Sequence, residues 1–258
     1  MKPEQGMYAQ AALDDSSAPR DHHGNLSLRA AGSLSIARMA EANPLAPREL
    51  ETRGLIHREM QAQESANAFR ELRTRLLALA GHGNFITMVA PISNDSGGSF
   101  VARNLAAAFA FDEAKTALLI DCDLRRPRQH RDLGIDGAGL IDYLEEPAIG
   151  VEKIIHHTGV PRLRLIPAGK PREMSGEYFS SYRMRAVIDM LRSRYPDRYI
   201  ILDAPPVKGS PDARILSDLA DVVVLVTGYG RDTVSTIEQA AAGFDPAKLA
   251  GVVFNEGI

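Results

Sequence analysis

Between residues 85 and 254 the chain carries short apolar runs, mostly continuous rather than alternating: Phe85–Ala90, Ala117–Ile120, Leu163–Ile166, Tyr199–Leu202, Val222–Val226 and Gly251–Phe254. Their length and β-branched content mark them as strands. A strand that is apolar on successive residues has both faces covered, as in a parallel sheet with helices on either side. Longer amphipathic stretches separate them: Phe100–Phe111, Leu140–Leu144, Arg183–Arg194, Ala213–Leu219 and Thr233–Ala242. This alternation, with right-handed crossovers, predicts an α/β fold: a doubly wound, mostly parallel sheet flanked by helices. Ligands of such sheets bind beyond the C-terminal strand ends, and three of those ends carry candidate chemistry.

The first reads Val89-Ala-Pro-Ile-Ser-Asn-Asp-Ser-Gly-Gly-Ser-Phe100 and opens a helix, the position of a phosphate loop. Against G-x-x-x-x-G-K-[ST], Gly97 and Ser99 match, Ile92 replaces the first glycine and Gly98 replaces the lysine. Backbone N–H groups of Gly97, Gly98 and Ser99 still face an anion, and Ser99 still offers a hydroxyl to Mg²⁺. Loss of the lysine removes a charge-assisted hydrogen bond of about 1.5–3 kcal/mol, roughly 10- to 100-fold in affinity. An ordinary strand–helix turn is the competing reading of this segment.

The second end, Leu118-Leu-Ile-Asp121-Cys-Asp123-Leu-Arg-Arg126-Pro, places two carboxylates at a strand tip with two arginines behind them. Carboxylates for Mg²⁺ and arginines for phosphate are the groups that a nucleotide site needs; an Asp–Arg network that stiffens the turn is the alternative. Cys122 reads as a small buried side chain. The third, Ile200-Ile-Leu-Asp203-Ala-Pro-Pro206, closes a strand with an acid able to hold Mg²⁺ through water. No G-x-G-x-x-G follows a strand, and no H-E-x-x-H, C-x-x-C or G-x-S-x-G occurs, so dinucleotide, zinc and serine-hydrolase readings lack support.

Upstream, residues 1–60 hold Pro3, Pro19, Pro44 and Pro47 among Ser, Gly and scattered charge, and are expected to form a flexible arm, with a short helix near Leu34–Glu41. His22-His23 lacks metal-ligand spacing and reads as solvated tail. Residues 61–258 form the expected P-loop-type domain. It opens with a helix over Gln61–Ala80, where Phe69, Leu72, Leu76 and Leu77 recur at helical spacing. A net charge of −3 offers no bulk field for nucleic acid. One cysteine excludes an internal disulfide. Neither a secretory leader nor an apolar run of membrane-spanning length is seen, so a cytoplasmic protein whose membrane link comes through a partner is expected.

With those segments in hand, the chain resembles the bacterial protein-tyrosine kinases of capsule and exopolysaccharide synthesis, relatives of the septum-placing and plasmid-partition ATPases. Asn67-Ala-Phe-Arg70-Glu-Leu-Arg73 is similar to that family's E-x-x-R-x-x-R helix. The Asp121–Asp123 and Asp203 segments are similar to its acidic boxes. Gly139–Leu144, Leu165–Gly169, Ser210–Ala213 and Ala220–Val226 follow in family order. The short arm and Arg53-Gly-Leu-Ile56 look most similar to soluble versions linked to exosortase-type loci.

The resemblance implies ATP and Mg²⁺ as ligands, with Ser99, Asp121 and Asp203 on the metal, directly or through water, and Asp121 and Asp123 as catalytic acids, Asp123 helping to hold the metal or orienting the attacking hydroxyl. It puts Gly97, Gly98, Ser99 and Arg126 on phosphate and Arg70 and Arg73 in a homo-oligomer contact. It also implies work with a membrane-embedded polysaccharide co-polymerase that controls chain length, at the inner face of the plasma membrane. Gly98, Asn67 and the absence of a tyrosine cluster near Ile258 depart from the family, the seven tyrosines being dispersed. Three readings stay open: a regulator impaired in phosphotransfer; an active kinase in which Arg103, Arg125 or Arg126 replaces the lysine; and a partition-type ATPase.

Overall fold

The computed structural model describes residues 41, 43–60, 63–81 and 83–256. Tyr8, His22-His23 and most of the helix expected near Leu34–Glu41 lie outside them. Seven strands form one sheet: β1 (Ile86–Pro91), β2 (Thr116–Asp121), β3 (His156–His157), β4 (Leu163–Ile166), β5 (Arg198–Asp203), β6 (Val222–Gly228) and β7 (Leu249–Asn255). Their order is β3-β4-β2-β5-β1-β6-β7. Only β3 runs antiparallel, so the sheet is mostly parallel as its unalternating apolar runs require.

The helices are α1 (Pro47–Thr52), α2 (Gln63–Ala80), α3 (Gly98–Ala110), α4 (Gln129–Leu133), α5 (Leu140–Glu145), α6 (Ser175–Ser180), α7 (Tyr182–Arg194), α8 (Asp212–Ser217) and α9 (Val234–Ala241). They bury two separate apolar layers, one on each face of the sheet. On one face α3 supplies Val101, Leu105 and the run Ala106–Phe109, with α2 laid over it through Ala66, Phe69 and Leu76. Small side chains on α3 let two helix layers approach the strands closely, and Phe85, Phe109 and Tyr199 fill the wider end with ring centroids 4.5–5.8 Å apart. On the other face Met184, Val187, Ile188 and Leu191 of α7 cover β2 and β5 residues. No helix among the described residues is long and apolar enough to cross a membrane.

Residues 43–60 correct the expectation of a flexible arm extending to position 60. Leu50, Leu55 and Ile56 are buried in the α2–α3 layer. Buried Asn104 of α3 holds the segment, accepting from the Ile56 N–H at 2.7 Å and donating to the Gly54 carbonyl at 2.8 Å. Charged and proline-rich composition suggested an unstructured stretch, but three apolar residues placed against a buried asparagine suffice to dock it. Helices α1, α4 and α6 and strand β3, all short, were also missing from the periodicity.

Candidate functional site

Central strands β2, β5 and β1 deliver the three sequence motifs to one end of the sheet. Asp121 and Asp203 are register partners on β2 and β5, and the loop after β1 runs into α3 beside them. A cavity of about 140 Å³ lies over that loop; Gly97, Gly98, Ser99, Asp123 and Arg126 line it.

The loop is fastened on three sides. Ser93 donates to Asp232, Asp95 pairs with Arg128 at 3.0 Å, and the Asn255 amide donates to the Ser96 carbonyl at 3.2 Å. Gly97 takes a left-handed conformation (φ 85°), and a side chain there would run into Asn255. α3 starts at Gly98 without a side-chain cap, leaving first-turn N–H groups turned toward the cavity.

Gly98 is the decisive position. A Cβ at that position would lie 2.6–2.9 Å from three ring carbons of Pro91. The space that the root of a loop lysine needs is filled by a rigid ring in the adjoining strand.

Behind the loop, the acids divide. Asp121 is fully buried, and both its oxygens accept backbone N–H groups, from Asp123, Arg128 and Gln129, each at 3.1 Å. These three bonds make Asp121 shape the turn that follows β2. Burial, and then repulsion from Asp203, push its carboxyl well above the usual range, against the pull of the Gln129 N–H.

Asp203 accepts from the Gln129 amide at 2.7 Å, and the Ser99 hydroxyl lies nearby. Burial raises it to about 7. Its Oδ1 is buried with no partner. Ser99 and that oxygen fit one octahedral cation with waters. Among the described residues no cluster of three or more His, Cys, Asp or Glu could hold a metal by itself. Asp123, half-buried on the cavity wall, is raised by burial, while its acceptance of the Arg126 N–H lowers it. Burial and three neighbouring carboxylates push the Cys122 thiol up, which suits an inert core residue.

Gln129 is the site residue that sequence reasoning missed. Its amide donates to both Asp203 and the Ser99 carbonyl, and its oxygen accepts from Arg103. Nothing in the run Arg126-Pro-Arg-Gln129 distinguishes it before the fold folds α4 back over β5.

The candidate substitute cations also separate. Arg103 is bound to Asp132 at 2.7 Å, and Arg125 to Asp212 at 3.0 Å. Arg126 lines the cavity, and its guanidinium makes no hydrogen bond among the described residues. Arg70 and Arg73 lie apart, on α2. Arg70 bonds Asn67 and stacks over Phe111, and Arg73 donates to the Ala108 carbonyl at 2.7 Å.

Fold and site together define a P-loop NTPase-like domain with an altered phosphate loop. No family model matches the chain. EpsB of Ralstonia solanacearum is 33% identical over 241 residues, covering 91% of this chain and 31% of that protein. The tyrosine-protein kinase Wzc of Salmonella typhimurium is 31% identical over 192 residues, covering 73% and 26%. The VpsO kinase domain superposes with a TM-score of 0.68 at 23% identity, covering 83% of this chain and all of that one. The BceF tyrosine kinase domain gives 0.67 at 25%, covering 86% and 96%.

The chain belongs with the bacterial tyrosine-protein kinases, as a relative of their P-loop kinase domain. It spans about a third of the length of the curated relatives it matches.

Proposed function

We propose that this protein is a tyrosine-kinase-like regulator of exopolysaccharide synthesis and export, impaired in ATP-dependent phosphotransfer. In this reading it acts in the cytoplasm, docked against a membrane-embedded co-polymerase at the inner face of the plasma membrane, with Arg70 and Arg73 available to a homo-oligomer contact. One observation carries the impairment: glycine at the lysine position, with the Pro91 ring in the space beside it. Charge develops on the transferred phosphoryl group, so a missing cation costs the reaction more than it costs binding.

The remaining parts still suit a nucleotide end. The uncapped first turn of α3 and Arg126 face phosphate, and Ser99 with Asp203 would hold Mg²⁺, which neutralises phosphate charge when bound. Gln129 keeps Asp203 oriented toward Ser99. Asp123 borders the cavity where an attacking hydroxyl would enter.

Calorimetry with Mg²⁺-ATP, alongside a phosphotyrosine assay on the same sample, tests this reading. Affinity about 10- to 100-fold below that of a lysine-bearing loop is expected, with no phosphotyrosine formed. Robust autophosphorylation by the wild type would sink it. The uncommitted Arg126 guanidinium favours a second reading, an active kinase in which Arg126 supplies the cation. Under that reading Arg126→Ala abolishes turnover; under the first there is no turnover to lose.

A further inference from the structure

We propose that Pro91 is the specificity-determining residue of the phosphate loop: its ring bars any side chain at position 98, so the loop's cation is excluded by a pair of residues. This rests on the reading of the loop as disarmed and names what keeps it so.

Three ring carbons of Pro91 (Cβ, Cγ and Cδ) approach the place of a Cβ on Gly98 to 2.9, 2.7 and 2.6 Å. Gly98 has helical geometry as the first residue of α3, so the backbone itself would accept alanine or lysine; only the space forbids them. A flexible side chain could swing aside. A proline ring is closed onto its own backbone and moves only if the strand moves.

That strand is held in place. β1 is central, Pro91 registers with Val226, and its carbonyl accepts from the Val207 N–H at 2.9 Å. The next residue, Ile92, is fully buried, donates to the Val226 carbonyl at 2.8 Å and accepts from the Lys208 N–H at 3.0 Å. On the other side the loop is tied through Asp95, Ser96 and Ser93. Neither partner of the clash can retreat cheaply, so the packed pair behaves as one unit. Proline without an N–H is also unusual in a central strand, where a ladder bond is forgone; here it stands at the last position, against the loop.

The test is a double-mutant cycle on the full chain, read by melting temperature and Mg²⁺-ATP affinity. Gly98→Ala is expected to lower the melting temperature by about 3–8 °C, the effect of overpacking in a domain this size. In the Pro91→Gly background the same substitution is expected to cost less than half as much. Gly98→Lys alone is expected to gain no affinity, whereas Pro91→Gly with Gly98→Lys gains about 10- to 100-fold. Gly98→Ala melting within about 1 °C of wild type overturns the proposal, and so does strict additivity of the cycle or a full affinity gain from Gly98→Lys alone. The Gly98→Ala measurement needs no proline variant, so it decides the matter even if Pro91→Gly fails to fold. Phosphotransfer by the wild type would overturn the proposed function and leave this cycle untouched.

Discussion

At pH 8 the Asp203→Asn protein is expected to melt about 4–15 °C above the wild type, and at about pH 3.5 the two are expected to melt together. Asp203 is 1% exposed, and burial holds its carboxyl at about 7, above an unfolded value near 3.9. Between those values the folded chain keeps a proton that the unfolded chain has released. Stability from this group is therefore full below about pH 4, falls as pH rises toward 7, and is flat above.

Three pH units at 1.36 kcal/mol each set a ceiling of about 4 kcal/mol, and 1 kcal/mol moves the melting point of a domain this size by about 2–4 °C. Asparagine removes the charge and keeps an oxygen for the Gln129 amide, now at 2.7 Å from the carboxylate. A gain of equal size at about pH 3.5 and at pH 8 would refute this account and point to packing. The same buried oxygen gives a companion result: Mg²⁺ is expected to raise the wild-type melting point at pH 8 and leave the asparagine variant unmoved, since the unpartnered Oδ1 is then gone.

How much of this was readable beforehand depends on whether a residue's role is local. The strands were legible because covered β-runs are apolar at nearly every position, and Leu163–Ile166, despite Arg164, matched to the residue. The three strand-end motifs were legible because each is contiguous, and the structure brings them to one end of the sheet. What failed was whatever depends on a partner distant in sequence.

Asp121 and Asp203 read alike as acids closing apolar strands. Three backbone N–H groups engage both oxygens of the first, while the second retains a buried oxygen with no partner. Gln129 belongs to a helix of five residues, too short for periodicity, and gains its role only when α4 lies over Asp203. Pro91 was in plain view as the last residue before the loop. That it excludes a lysine seven positions later follows only from the ring's packing against Gly98. Arg103, Arg125 and Arg126 were equivalent candidates by sequence, and ion pairs with Asp132 and Asp212 tell them apart.

Asn104→Ala is expected to lower stability by about 3–5 kcal/mol, a fall of roughly 10 °C or more in melting temperature. Asn104 is fully buried on α3 amid alanines and leucine. Its oxygen accepts from the Ile56 N–H, and its amide donates to the carbonyls of Gly54 and Phe100 at 2.8 and 3.0 Å. Alanine leaves Ile56 N–H and Gly54 C=O without those partners, and an orphaned buried group costs about 1–3 kcal/mol. Leu55 and Ile56, 1% and 2% exposed, lose the bonds that seat them. The loss is expected to be local first: hydrogen exchange at the Ile56 amide should quicken well before that at β5 amides.

Uniform loss of protection across the sheet would show that Asn104 supports the whole core rather than the entry segment. A melting point within about 1 °C of wild type would show that the segment docks by its leucine and isoleucine alone. The first outcome matters for function because α3 carries the phosphate loop at its other end. Asn104 lies little more than one turn from Ser99, so residues 54–56 and the loop are anchored on the same helix. A change in how the entry segment docks would then reach the loop through α3, one of the few helices here long enough to transmit it.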